Sequence, residues 1–204
     1  MARQIDFLAK RHRSHEAEWV RHTDEIFSQR TVFPLVLLLD NVRSAFNVGS
    51  IFRTADACGA CLVLTTGITP HPGGSGSEKV AKSSLGAERI VPSQHFETTR
   101  EAVEFVRKTY PKLMLVGMET TNVSVDYTKV DYPGKGQGVG PEGNPLGEGT
   151  LLVLGNEVTG VDTEIMPELD TIVEIPMFGV KNSLNIAACA PVVLYEILRQ
   201  WGTS

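Results

Sequence analysis

Apolar residues fall along this chain in two kinds of run, and the two kinds alternate. Leu35-Val36-Leu37-Leu38-Leu39, led by Pro34 and ended by Asp40, is continuous rather than every-other-residue. Cys61-Leu62-Val63-Leu64, Leu113-Met114-Leu115-Val116 (closed by Gly117), Leu151-Leu152-Val153-Leu154 (running into Gly155) and the stretch 171–175 (stopped by Pro176) repeat that pattern. Such runs are expected of strands covered on both faces, as in a parallel sheet. Arg89-Ile90-Val91 predicts one more short strand. Between the runs the period becomes helical. Val48, Ile51, Phe52 and Ala55 predict a helix over 47–58 that Gly59 ends; Ala102, Val103, Phe105 and Val106 predict another over 98–108, with Glu101 in its first turn. Residues 184–201 form a last helix, apolar almost all round, which buries more than one side. This alternation predicts an α/β fold, a mostly parallel sheet with helices on both faces.

Two stretches break the pattern. Residues 1–30 are polar with scattered apolar positions (Ile5, Leu8, Trp19, Val20, Ile26, Phe27), which predicts an N-terminal helical extension ahead of a main domain over 31–204. Residues 131–149 hold seven glycines and three prolines without any period. They read as a loop or excursion, a flap or a mere insertion, not as a domain boundary.

At 204 residues, with 42% hydrophobic and 21% charged positions, the chain is of ordinary globular make-up. It is not the composition of a disordered protein. No apolar run approaches the ~20 residues of a membrane helix, and the start lacks the apolar stretch of a secretory signal. Three cysteines, an odd and low count, point to a reducing compartment, so a cytoplasmic location is expected. The net charge of −5 makes the whole chain no magnet for nucleic acid. Yet Arg3, Lys10, Arg11 and Arg13 face only Asp6 among the first thirteen residues, a basic arm on an acidic body that can touch phosphates or be a solvated helix face, the reading that charge alone favours.

Candidate chemistry gathers where strands end. Glycine-bearing turns follow three of the runs: Asn41 to Gly49, Gly155 to Gly160, and Ile175 to Gly179. In open α/β sheets ligands bind beyond the carboxyl ends of the strands. Asn47, Arg53, Asn156, Glu157, Ser183 and Asn185 would converge there. Each has a plainer reading. Asn47 is a plausible helix N-cap, Arg53 a surface charge, Glu157 a first-turn carboxylate, and Ser183 a cap for the last helix with Asn185 in its first turn. No Gly-x-x-x-x-Gly-Lys-[Ser/Thr] loop exists, and the glycines of 134–138 follow no strand, so neither phosphate-binding fingerprint applies. Cys58-Gly59-Ala60-Cys61 has redox spacing but spans a helix end and a strand start, so buried thiols are expected. The five histidines have no metal-ligand spacing with the cysteines, and no metal is expected.

The segment Asn41-Val42-Arg43-Ser44-Ala45-Phe46-Asn47-Val48-Gly49-Ser50-Ile51-Phe52-Arg53-Thr54-Ala55 resembles the first motif of the SpoU-type (TrmH-like) RNA ribose methyltransferases of the SPOUT superfamily. Leu154-Gly155-Asn156-Glu157-Val158-Thr159-Gly160-Val161 resembles the second, and Ile175-Pro176-Met177-Phe178-Gly179-Val180-Lys181-Asn182-Ser183-Leu184-Asn185 the third. Lys82 to Glu88 resembles the linking segment. Three motifs in order, spanning residues 35–200, make a specific match. The resemblance implies a C-terminal trefoil knot, a rare exception to ordinary chain threading. It implies S-adenosylmethionine as cofactor, held by Gly117, Met118, Glu119, Gly155, Asn156, Ile175, Met177, Ser183, Leu184 and Asn185. It also implies a homodimer with the site at the subunit interface, and an RNA substrate.

The implied reaction moves a methyl group to a ribose 2′-hydroxyl of RNA. Asn47 and Arg53 would sit at the reacting ribose, with Arg53 as a clamp that stabilises developing negative charge. Glu157 and Asn185 would orient the loops or Arg53, and Ser183 would hold a loop or the hydroxyl. tRNA is favoured over rRNA, because 155–161 and 64–70 look most like the tRNA-type members. The competing reading is a catalytically idle RNA-binding or assembly factor on the same scaffold; an unrelated nucleotide-binding α/β enzyme is disfavoured by the missing phosphate loop. Two features depart from the family pattern: Pro191 inside the last helix, and the long stretch 131–149.

Overall fold

The computed structural model describes residues 31–134 and 147–202. The expected extension over 1–30 lies outside the described residues. Seven strands form one sheet: β1 (Phe33–Asp40), β2 (Ala60–Thr66), β3 (Ser93–Phe96), β4 (Leu113–Met118), β5 (Val125–Asp126), β6 (Gly149–Leu154) and β7 (Thr171–Glu174). Their order is β3-β2-β1-β6-β4-β7-β5, and every pairing is parallel. Among the described residues five helices accompany the sheet: α1 (Ala45–Ala57), α2 (Ser77–Ser84), α3 (Ala87–Ile90), α4 (Thr99–Thr109) and α5 (Ile186–Gln200).

The continuous apolar runs have the cause expected of them. Alternate residues of a strand face opposite sides of the sheet. Leu35, Leu37 and Leu39 of β1 pack in one core with Val48, Ile51 and Phe52 of α1 and with Ala190, Val193 and Leu194 of α5. Val36 and Leu38 pack in the other core with Ala102, Val103 and Val106 of α4. Helices therefore cover both faces, so that apolar side chains are favoured on each.

The order of the strands matters most for function. β1, β6, β4 and β7 are consecutive neighbours in the sheet, with Leu39 opposite Leu154, and Met118 opposite both Leu154 and Val173. Parallel strands end on the same edge. The segments after 40, 118, 154 and 174, remote in sequence, thus leave the sheet side by side.

Several local expectations need correction. The N-cap of α1 is Ser44, whose side chain accepts from Asn47 N–H, not Asn47 itself. The N-cap of α5 is Asn185, which accepts from Ala187 N–H, not Ser183. Residues 89–91 are not a strand. Ile90 ends α3 and Val91 is buried just after it, while the strand β3 lies further on at the sheet edge, where Ser93 and Gln94 are exposed. Only Val80 and Ser84 of helix α2 are buried, so its sequence offers a single buried apolar anchor. It is set against α1 at Gly49, where a Cβ would fall 1.9 Å from Ser83 Oγ. Gly117 does not end β4, which continues through Met118. Pro191 sits inside α5 without ending it.

The flanks of the glycine-rich stretch are anchored away from that loop-bearing edge. Trp201 Nε1 donates to the Tyr132 carbonyl at 3.1 Å, Gln200 Nε2 to that of Val130 at 2.9 Å, and Gly149 begins β6. Cys58 caps α1 and Cys61 lies in β2, as their spacing suggested. Burial pushes the Cys58 thiol up to about 11, against a lowering hydrogen bond from Tyr195, which makes it a poor nucleophile.

Candidate active site at the carboxyl edge of the sheet

A cavity of about 540 Å³ opens where β4, β6 and β7 end. That volume suits a small cofactor or substrate. Met118, Glu119 and Thr120 form one wall, Leu154 to Val158 and Gly160 a second, and Ile175, Met177 and Asn182 to Ile186 a third, with Cys189 behind. Among the described residues no Lys, Arg or His lines it, whereas Glu119 and Glu157 do. The lining suits a cation and offers no counter-charge to phosphate.

The second wall is a closed turn. Asn156 and Gly160 exchange backbone hydrogen bonds at 2.9 Å, and Asn156 Oδ1 accepts from Val158 and Thr159 N–H. Gly160 takes φ +75, and a Cβ there would lie 2.0 Å from Glu119 Oε2. That oxygen instead accepts from Val161 N–H at 3.0 Å, while Oε1 accepts from Thr120 N–H. Glu119 therefore belongs as much to the turn as to the cavity.

Glu157 reaches from this turn to the start of α1. Oε2 accepts from Arg43 N–H at 2.8 Å, and Oε1 from Ser44 N–H at 3.2 Å and Asn47 Nδ2 at 2.9 Å. Burial pushes its carboxyl upward, but the hydrogen bonds from Arg43, Asn47 and Ser44 outweigh it and hold the group below the ordinary glutamate value. A carboxylate beside the first amides of a helix is also favoured by the helix dipole. Asn185 Nδ2 then donates to Asn47 Oδ1 at 3.3 Å. Asn47, Glu157 and Asn185 thus form one linked row, with one member from each of the three motif segments.

Of the expected cofactor residues, Met118, Glu119, Gly155, Asn156, Ile175, Met177, Ser183, Leu184 and Asn185 line the cavity. Gly117 does not. It lies within β4 under Leu169, whose Cδ1 is 2.5 Å from where a Cβ would be. Arg53 is not in the lining either: it is exposed on α1, with no hydrogen bond or ion pair of its guanidinium among the described residues. Thr120, Ile186 and Cys189 complete the walls and went unnoticed in the sequence, as did the Arg43 and Ser44 amides, while Leu154, Val158, Gly160 and Asn182 lie in the motif segments without a role expected of them. Only the Ser at position 44, a preferred N-cap residue ahead of an apolar helix, carried a legible signal.

No group of three or more His, Cys, Asp or Glu among the described residues is arranged to hold a metal ion, and no helix there is long and apolar enough to cross a membrane.

Comparison with known proteins agrees with this geometry. A TrmH-family relative from Staphylococcus saprophyticus is 32% identical over 165 residues, which are 81% of this chain and 58% of that protein. The tRNA (guanosine(18)-2'-O)-methyltransferase of Aquifex aeolicus is 28% identical across 81% of this chain and 69% of its own. The crystal structure of the SpoU methyltransferase AviRb from Streptomyces viridochromogenes superposes with a TM-score of 0.67 at 31% identity, covering 83% of this chain and 60% of that one. The same protein in complex with AdoMet gives 0.66 at 29% identity, covering 84% and 58%. This chain therefore spans about three fifths of the length of several of the proteins it resembles. Residues 34–195 match the model of one family, so that the motif order, the parallel sheet and the three-walled cavity have a common origin: the chain belongs to the SpoU rRNA Methylase family.

Proposed function

We propose that this chain transfers a methyl group from S-adenosylmethionine to a ribose 2′-hydroxyl of RNA. The observation that carries the reading is the cavity itself: three remote segments close one pocket, and the linked row Asn47–Glu157–Asn185 joins it to α1. S-adenosylmethionine, when bound, supplies a methyl group activated by a sulfonium sulfur. Its positive charge suits the Glu119 and Glu157 side of the cavity, and its apolar parts suit Met118, Leu154, Ile175 and Met177.

The protein's own residues supply position and charge. Glu157 has both oxygens engaged by three donors, so it is a poor proton acceptor and acts by fixing Asn47. Asn47 and Ser183 would orient the ribose. Arg53 carries a permanent positive charge, so it stabilises the oxygen as negative charge develops on it rather than taking the proton. Holding the hydroxyl and the methyl group together supplies rate by proximity. The hydroxyl oxygen would take the methyl group from bound S-adenosylmethionine with loss of the cofactor's sulfur–carbon bond, and the hydroxyl proton would leave to solvent or to an RNA phosphate.

The working unit in this proposal is a homodimer, with the three segments threaded as a trefoil knot. Phe178 and Val180 are 99% and 104% exposed in the third-motif segment, and Tyr195 is 53% exposed on α5. Apolar side chains this bare suit a cover, and a second copy of the chain would bring Arg53 of one protomer toward the cavity of the other. The proposed substrate class is tRNA ahead of rRNA, on the likeness of 64–70 and 155–161 to tRNA-type members. Arg43 and Arg53, with Lys79 and Lys82 exposed on the neighbouring α2, offer phosphate contacts.

The test is incubation with labelled cofactor and separate unmodified tRNA and rRNA pools, followed by nuclease digestion and mass spectrometry of the nucleosides. The expected result is label on a ribose, chiefly from tRNA. Label on a base, or no label together with no cofactor binding by calorimetry, would overturn the reading in favour of an idle RNA-binding module.

A further inference from the structure

Asp40 ends β1, is 1% exposed, and has no part in the chemistry above. Its carboxylate is met by donors and, among the described residues, by no ion pair. Thr99 Oγ1 donates to Oδ1 at 2.6 Å, Asn41 Nδ2 to the same oxygen at 2.9 Å, and Asp162 N–H to Oδ2 at 2.6 Å. A buried carboxylate is costly unless its hydrogen bonds compensate, and these are charge-assisted.

The three donors come from three segments. Thr99 opens α4, Asn41 opens the turn that leads to Asn47, and Asp162 follows the turn that carries Asn156 and Glu157. Asn41 extends the link. It takes φ +52, its Oδ1 accepts from Ile68 N–H at 3.3 Å, and its carbonyl accepts from Asn156 Nδ2 at 2.7 Å. Asp40 therefore sits at the root of the contact between the first-motif and second-motif turns.

We propose that Asp40 is a positioning residue for methyl transfer: its carboxylate sets the spacing of the Asn41–Asn47 turn against the Asn156–Gly160 turn, so that the ribose side and the cofactor side of the site meet in register. The inference rests on the function proposed above. An isosteric amide cannot replace the carboxylate. The single oxygen of an Asp40→Asn side chain would accept from Asp162 N–H, and Thr99 would reverse its hydroxyl, because either Thr66 or Thr99 can be the donor of their 2.8 Å bond. The new NH₂ group would then face Asn41 Nδ2, donor against donor. Asn41 can relieve this by turning its amide, which sets its own NH₂ against Ile68 N–H. The closures within the cavity walls, Glu119 to Val161 and Asn156 to Gly160, do not involve Asp40. The substitution thus shifts one turn against the other while leaving the cofactor walls intact.

The experiment measures two quantities on the full chain, well below its melting midpoint. S-adenosylmethionine affinity comes from calorimetry, and the single-turnover rate from transcribed tRNA and rRNA at saturating labelled cofactor. For folded Asp40→Asn the expected result is an affinity within about threefold of the parent and a rate lower by on the order of 10²-fold, the effect of a displacement of ~1 Å between reacting groups. Asn41→Gly keeps the left-handed backbone and the carbonyl but loses both side-chain arms; its expected rate loss is about tenfold, again at unchanged affinity. It decides the matter if Asp40→Asn does not fold. A rate within about twofold of the parent in the folded variant, or rate and affinity falling in proportion, would overturn the positioning role. A parent protein that puts no methyl on ribose defeats the underlying function instead, and the two failures are thereby distinct.

Discussion

The first two motif segments and the third are held in opposite ways. The Asn41–Asn47 turn and the Asn156–Asp162 turn are tied to each other by Glu157, by Asn156 and by the Asp40 carboxylate, all within one chain. The segment from Ile175 to Asn185 joins that network at its far end, through Asn185 to Asn47, and between its ends it exposes Phe178 and Val180 fully. Arg53 belongs with this second group, exposed and without a partner among the described residues. One half of the site is pre-organised by the fold; the other, under the proposed function, would be completed by a second chain or an RNA. The division teaches where a substitution should cost stability and where it should cost only activity.

The largest contrast is at Arg53. Arg53→Ala removes a side chain that holds nothing in the fold, so its melting midpoint should stay within what ~0.5 kcal/mol produces. Its methylation rate should fall by on the order of 10³-fold, the upper range for one transition-state donor. A normal rate would place the developing charge elsewhere. Glu157→Gln is the converse case. An amide keeps one acceptor but sets an NH₂ against either Arg43 N–H or the Ser44 and Asn47 donors. Both readouts should move: a rate loss on the order of 10²-fold and a destabilisation of about 0.5–1.5 kcal/mol, the net worth of a hydrogen bond, because these donors lie where water can replace the carboxylate. Activity lost without stability would show that Glu157 acts on substrate and not through the turn.

The same division governed what could be read in the sequence. The apolar runs at Leu35 and Leu151 foretold a sheet covered on both faces, because burial on two sides removes the alternation that an exposed face imposes. The motifs foretold the cavity walls, since Gly155, Asn156 and Gly160 are fixed by a turn that forms within a few residues. Helix α2 escaped notice because it is held by a contact at Gly49 rather than by an apolar stripe. β3 and β5 were missed because edge strands bury little. Ser44 and Asn185 outcompeted Asn47 and Ser183 as caps, a matter of a few residues that propensity does not resolve. Asp40 read only as the end of a strand, because its partners Thr99 and Asp162 lie 59 and 122 positions away.

The exposed half gives a smaller, separate effect. Val180→Asp adds a charge to a side chain that is bare in the single chain, so the fold should not change. If a second copy covers this segment, the charge must be desolvated on association, and the dimer dissociation constant by sedimentation should rise at least about tenfold. A monomer at all concentrations in the parent, or an unchanged constant in the variant, would show that no second copy covers this segment.

The smallest effect probes the tied half by pH. His95 and His71 stack at 3.7 Å between ring centroids; His95 Nδ1 pairs with Thr65 Oγ1, and His71 Nδ1 with the Thr69 carbonyl. Thr69 Oγ1 in turn accepts from Val42 N–H in the first-motif turn. Burial first, and then the facing His71 charge, lower the His95 pKa below its ordinary 6.5, against a raising contribution from Glu97. The unfolded chain therefore takes up this proton before the folded one does. Stability rises with pH across the interval between the lowered value and 6.5, is complete above it, and is lost as pH falls through it. Glu157, whose carboxyl is also held low, contributes a loss of the same sign at lower pH, below its ordinary 4.5. Denaturant midpoints between about pH 3 and pH 7.5 should fall on the acid side in the parent; in His95→Gln the step below 6.5 should flatten, with the Glu157 step below 4.5 left in place. If His95→Gln leaves the upper step unchanged, the group that titrates there is not His95 and the stacked pair adds no pH dependence to the fold.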